Sequence, residues 1–198
     1  MSRDIRICFV GDSFVNGTGD ETALGWTGRL CAAANARGIP TTYYNLGVRR
    51  GTSGNILRRC KHECARRLPD GCDRRVVVSF GVNDTAMESG KVRLSLDESC
   101  SNLRQILCDL EQYDQVMVVG PPAVDDEDHN ARIGEISRLF AHEAKSLGVA
   151  YIELYAALTS DEAYKREISK NDGFHPKSDG YSQIARIVSS SSHWWFRS

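Results

Sequence analysis

Two stretches of this chain, Val76-Val-Val-Ser-Phe80 and Val116-Met-Val-Val119, are apolar almost without interruption. A strand with one face in water alternates apolar and polar side chains, so an unbroken apolar run marks a strand covered on both faces. Sheets covered in this way are parallel, since every crossover between parallel strands lays a helix over the sheet. Three further runs rich in β-branched or aromatic residues, Ile5 to Val10, Thr42 to Leu46 and Ala150 to Glu153, join Arg75 to Phe80 and Gln115 to Val119 as five predicted strands. Stretches with helical spacing fall between them, near Leu24 to Arg37, Ser53 to Arg67, Leu96 to Glu111, Asn130 to Leu147 and Asp179 to Ser189. In the fourth, Ile133, Ile136, Phe140, Ala144 and Leu147 advance by threes and fours and mark one buried face. Ser53, ahead of Ile56 and Leu57, and Ser95, three residues before Glu98, are the expected helix caps. Strand and helix in alternation predict an α/β fold, a three-layer α/β/α sandwich around a parallel five-stranded sheet.

With 198 residues, no repeat and no long linker, a single domain spanning 1–198 is expected, large enough to fold without disulfides or a metal. A formal net charge of -1 gives no reason to expect nucleic acid or an acidic membrane as partner. The seven cysteines, Cys8, Cys31, Cys60, Cys64, Cys72, Cys100 and Cys108, are odd in number and lack a paired CxxC spacing, which fits reduced thiols in the cytoplasm. Cys60, His62 and Cys64 have no second ligand pair and are read as ordinary helix residues, with no metal predicted. From Met1 to Val10 charges interrupt a short apolar run and no small-residue cleavage site follows, so neither a signal peptide nor a membrane span is expected there. No apolar stretch elsewhere approaches the ~20 residues that cross a bilayer.

The chemistry lies where strands end. Gly11-Asp12-Ser13 follows the first strand, so Ser13 reaches the carboxyl edge of the sheet, where α/β folds open their ligand crevice. By itself the tripeptide also describes a turn and a cap. Gly81-Val-Asn83-Asp84 follows the third strand and brings a side-chain amide to the same edge, able to donate to an oxyanion or simply to close the strand in an Asx-turn. Asp172-Gly-Phe-His175-Pro176 precedes the last helix. A carboxylate three residues ahead of an imidazole in a tight turn can bond one ring nitrogen and leave the other facing a serine. Three such signals in chain order are far harder to explain by turn chemistry than any one alone.

At these residues the chain resembles the GDSL or SGNH hydrolase family, whose serine, asparagine and histidine blocks match Ser13, Asn83 and His175, with Asp172 in the DxxH position. The resemblance runs from Gly11 to about Tyr181 with the blocks in family order. It implies the flavodoxin-like SGNH hydrolase fold and an esterase or lipase with the triad Ser13, Asp172 and His175, acting through an acyl-enzyme without a cofactor. One block departs. The family's glycine, whose backbone amide joins the oxyanion hole, falls five residues after an asparagine ending strand two, and here Asn45 places Arg50 at that spacing, with Gly47 and Gly51 on either side. Any residue but proline carries the amide. Ser13, Arg50 and Asn83 are therefore the expected oxyanion donors, with Gly47 or Gly51 in place of Arg50 if the loop is shifted.

The substrate is open among short acyl esters, acetylated sugars, lysophospholipids and thioesters, and so is acyl transfer to an acceptor other than water. Residues 49–75 carry nine basic side chains against three acidic ones, which either attract an anion or form a solvated face. Asp125 to Asp128 either starts a helix or overhangs the pocket and disfavours anionic substrates. His193, Trp194, Trp195 and Phe196 either pack back onto the domain, form a subunit interface through which the chain pairs as a homo-oligomer, or make a hydrophobic lip for acyl chains. A reading from another class makes Gly11 to Gly19 a phosphate loop for a flavin or nucleotide. No GxxxxGK[ST] is present, and that reading leaves Asn83, Asp172 and His175 unexplained. An idle binding scaffold is opposed by the intact polar set.

Overall fold

The computed structural model describes residues 4–196; Met1 to Arg3, where the reading of the amino terminus begins, lie outside them. The five predicted strands are present as β1 (Ile5–Gly11), β2 (Thr41–Gly47), β3 (Asp73–Ser79), β6 (Gln115–Val119) and β7 (Ala150–Ile152). They form one parallel sheet in the order β2-β1-β3-β6-β7. The chain leaves β1 for β2 on one side and then crosses to β3 on the other, so the order reverses at β1, where such sheets place a crevice. Gly11 lies level with Gly47 in β2 and Ser79 in β3, which brings the ends of three strands to one edge. A two-stranded hairpin, β4 (Met87–Glu88) and β5 (Lys91–Val92), rises beyond β3. Sequence periodicity missed it, because both strands are two exposed residues long.

Alternate side chains of the central strands feed two apolar cores, the period of two that strand geometry imposes. Ile7, Phe9, Val77 and Met117 face a core closed by α2 (Gly25–Ala36), α6 (Tyr155–Thr159), α7 (Glu162–Ser169) and α8 (Ser178–Ser190). Cys8, Val10, Val76, Val78 and Val118 face the other, closed by α3 (Ser53–Ala65), α4 (Leu96–Leu110) and α5 (Glu127–Ser146). Trp26 meets Phe9 edge to face in the first core, with ring centroids 5.5 Å apart. Cys60 and Cys64 point into the second, where burial pushes the Cys60 thiol up to about 11. The remaining helix, α1 (Ser13–Asn16), is a single turn after β1.

Two boundaries differ from expectation. The cap of α3 is Thr52, whose hydroxyl accepts from Asn55 N–H while the Asn55 side chain accepts from Thr52 N–H; Ser53 is the first helical residue. Thr-x-x-Asn is a capping box with an amide in place of the usual Glu or Gln, which is why Ser53 looked like the start. The α5 helix begins three residues before Asn130, with Asp126 accepting from His129 N–H at 2.6 Å and Glu127 and Asp128 in its first turn. The acidic run thus meets the helix dipole. Ser95 caps α4 as expected, accepting from Glu98 N–H at 3.2 Å.

At the opposite edge of the sheet Trp194 and Phe196 are buried in the first core. The Arg75 guanidinium, paired with Asp73 at 2.6 Å, lies over the rings of Trp195 and Phe196. Arg37 donates to Phe196 O at 2.7 Å. Among the described residues no helix is long and apolar enough to cross a membrane.

Candidate active site

A Cβ on Gly11 would stand 2.0 Å from Ser79 O, so only glycine lets β1 end against β3. The chain then turns into α1. Asp12, extended with φ -100 and ψ -152, is its cap, and Oδ1 accepts from Phe14 N–H at 2.9 Å. Ser13 is the first residue of the turn, where backbone N–H groups have no intrahelical partner. Gly17 ends the turn in the left-handed region at φ 83, and the side-chain amide of Asn45 in β2 donates to Val15 O at 2.7 Å. Gly47 lies beneath this turn; a Cβ there would come within 2.1 Å of Asn16 N.

The loop before α8 approaches from the other end of the chain. Gly173 takes φ 79, and Asp172 Oδ1 accepts from Phe174 N–H at 3.0 Å and His175 N–H at 2.7 Å. The other oxygen, Oδ2, is 2.7 Å from His175 Nδ1, and His175 Nε2 is 2.7 Å from Ser13 Oγ. A carboxylate only accepts, so Nδ1 carries the proton and Nε2 accepts from the serine hydroxyl. Partial burial works against ionisation of Asp172, yet the hydrogen bonds from His175 and Phe174 outweigh it and hold the carboxyl below its ordinary value. The ring of Phe14 lies 5.0 Å from the imidazole, and Asn171 donates to His175 O at 2.8 Å. Asp125 N–H braces the turn through Gly173 O at 2.8 Å.

Asn83 follows β3, and its Nδ2 donates to Asp12 Oδ2 at 3.3 Å. His129 from α5 steadies this loop, with Nε2 donating to Val82 O at 3.0 Å. Asp12 is fully enclosed. Burial raises its pKa to about 7, with the nearby Asp84 adding to the rise and the Phe14 N–H and Asn83 amide opposing it. In the loop after β2, Gly47 N–H already donates to Asn45 Oδ1 at 3.0 Å and Gly51 N–H to Val48 O at 3.1 Å. Between them Arg50 sits in the left-handed region at φ 61. Among the described residues, no acceptor is recorded for its N–H.

Ser13, Asn83, Arg50, Asp172 and His175 thus converge on one cleft of about 280 Å³. Phe14, Val82 and Phe174 form its apolar side; Arg49, Arg50, Arg93 and Glu88 form the polar rim. Asp125 to Asp128 are not among the residues that line this cleft; Asp125, Asp126 and Glu127 line a separate hollow. Two arginines of the basic segment do line it, whereas Arg59, Arg74 and Arg75 are paired with Glu63, Asp70 and Asp73. A larger hollow of about 390 Å³ between α7 and α8 is lined by residues such as Glu167, Lys170 and Lys177 and holds none of the predicted site residues. Sequence reasoning missed Phe14, Phe174, Glu88 and Arg93; of these only Phe174, inside the Asp172 to His175 turn, carried a local signal.

The sequence pattern of the GDSL-like Lipase/Acylhydrolase family matches residues 9–183. Among solved structures, the lipase/acylhydrolase from Enterococcus faecalis superposes with a TM-score of 0.78 at 22% identity, over 93% of each chain. An acetylxylan esterase from Geobacillus stearothermophilus gives 0.75 at 19% identity over 94% of each. A member of the lipolytic protein G-D-S-L family from Veillonella parvula gives 0.75 at 17% identity, over 92% of this chain and 94% of its own. Likeness at such identities establishes the shared SGNH hydrolase fold. No curated protein matches the sequence. With the family pattern spanning most of its length, the chain belongs to the GDSL-like lipase/acylhydrolase family of carboxylic ester hydrolases.

Proposed function

We propose that this chain cleaves small carboxylic esters through an acyl-enzyme on Ser13. The observation that carries the reading is the unbroken relay from Asp172 Oδ2 through His175 to Ser13 Oγ, each contact 2.7 Å, opening on the cleft. His175 Nε2 takes the Ser13 proton as Oγ attacks the ester carbonyl. Asp172 holds the tautomer and stabilises the imidazolium. The oxyanion rests on Ser13 N–H, Arg50 N–H and the Asn83 amide; because Gly47 and Gly51 N–H groups are engaged elsewhere, Arg50 is the donor from its loop. His175 then protonates the departing alcohol, and water, deprotonated by the same imidazole, releases the acid.

A cleft of about 280 Å³ supports a short acyl group, in keeping with the acetylxylan esterase among the structural relatives. The seven cysteines are free thiols, which supports an enzyme of the reducing cytoplasm, and one domain across residues 1–198 is part of the same proposal. Labelling with a fluorophosphonate and mapping the adduct by mass spectrometry tests the nucleophile, with the adduct expected on Ser13 and absent in Ser13→Ala. Folded protein that hydrolyses p-nitrophenyl acetate without reacting at Ser13 would overturn the reading. Hydrolysis that declines from acetate to octanoate is expected of a short pocket.

A further inference from the structure

We propose that Arg93 is a positioning residue that holds two oxyanion donors, Asn83 and the Arg50 loop, in register; the proposal rests on the esterase reading above. Arg93 follows β5, and its place is set by the backbone: Arg93 N–H donates to Ala86 O at 3.0 Å and Leu94 N–H to Asp84 O at 3.0 Å. From there the side chain, only 17% exposed, reaches back across the cleft wall. Its Nη1 donates to Arg50 O at 3.1 Å and lies 3.4 Å from Asn83 Oδ1. One guanidinium therefore joins the loop after β2 to the loop after β3.

The consequence for Asn83 is orientational. A side-chain amide is nearly symmetric in shape, and either flip fits the same space. Here the two ends meet opposite demands: Asp12 Oδ2 accepts, so it requires the NH₂ end, and Arg93 donates, so it requires the carbonyl end. With Nδ2 directed to the Ser13 side, its second hydrogen is free for the developing oxyanion. The consequence for Arg50 is conformational. A non-glycine residue at φ 61 is strained, and the bond from Arg93 to Arg50 O holds the peptide in that turn. Glu88 completes the frame, 2.9 Å from Arg50 Nη2 and 3.8 Å from Arg93 Nε. Both carbonyls are met by the one Nη1, which the rigid guanidinium plane holds in place with Nε turned towards Glu88; a lysine supplies the charge but not that fixed placement.

The test is steady-state hydrolysis of p-nitrophenyl acetate by Arg93→Ala, Arg93→Lys and Asn83→Ala, singly and combined, with Ser13→Ala as control and thermal melts to verify folding. For Arg93→Ala, kcat is expected to fall about 10- to 100-fold, less than the roughly 10²- to 10³-fold cost of removing an oxyanion donor outright, because the donors are misplaced and not lost. KM should stay within about twofold, the mark of an interaction made in the transition state. Added guanidinium ion at a non-denaturing concentration should restore part of kcat. Arg93→Lys should remain impaired. In the Asn83→Ala background the loss from Arg93→Ala should shrink, because part of its effect has already gone. Wild-type kcat in folded Arg93→Ala, or in Arg93→Lys should Arg93→Ala fail to fold, would overturn the proposal, as would full additivity with Asn83→Ala. If Ser13→Ala keeps full activity, the esterase reading itself falls; if it is inactive and Arg93→Ala is unimpaired, only the Arg93 proposal does.

Discussion

Asp12 presents Oδ2 to the Nδ2 of Asn83 at 3.3 Å, from a position directly preceding Ser13 in the chain. The carboxyl has no exit to solvent, and its pKa stands near 7 against an ordinary 3.8, above all because burial penalises the charge. A group raised in this way favours the folded state while protonated. Its contribution is complete below about pH 4 and is lost as the pH climbs to about 7, by roughly 4 kcal/mol. Asp12→Asn should therefore flatten the decline in stability across that window, read as the difference between wild-type and variant urea midpoints at several pH values. A difference that does not vary with pH would refute this. The variant should also lose activity, since its own NH₂ would oppose that of Asn83.

Asp172→Asn should lower kcat by about 10³-fold with little change in Tm. The carboxylate fixes the His175 tautomer, and an amide facing Nδ1 with its NH₂ would invert it. Asp172 Oδ1 also accepts two backbone N–H groups, so Asp172→Ala should in addition loosen the turn and lower Tm. A kcat for Asp172→Asn within about tenfold of wild type would place the base relay elsewhere.

Arg50→Gly offers the converse case. Glycine adopts φ 61 without strain, the amide is retained, and the exposed pair with Glu88 is worth little. The variant should gain about 1 kcal/mol in chemical denaturation and keep its kcat within a few-fold. A large fall in kcat would mean that the Arg50 side chain itself works on the substrate.

Trp194→Ala should cost about 3 to 5 kcal/mol, the usual range for emptying a buried tryptophan site. Activity per folded molecule should be unchanged, since this residue lies at the sheet edge opposite Ser13. Titrating active sites with fluorophosphonate separates the two quantities, and a lower turnover per labelled site would contradict the assignment.

The sheet was readable because Val76 to Phe80 and Val116 to Val119 leave no polar face to hide. Ser13, Asn83, Asp172 and His175 were readable because each stands within two residues of a glycine or proline that marks where an element stops. The Arg50 loop was not, since the choice among Gly47, Arg50 and Gly51 depends on which amides Asn45 and Val48 have already taken. Arg93 left no local trace at all. Its partners are ten and forty-three residues away, and the hairpin that delivers it is built from exposed residues with no periodic signature.

The aromatic closure at the foot of the sheet bears on how the molecule comes into being. Ile5 and Ile7 share an apolar cluster with Trp194 and Phe196, more than 180 residues later in the sequence. A polypeptide emerging from the ribosome therefore carries an uncovered greasy floor through most of its translation. On the proposed reading it also holds Ser13 without its base until His175 has been added. Until Trp194 and Phe196 are in place that floor stays bare, and the proposed relay through Asp172 and His175 to Ser13 closes only shortly before they arrive.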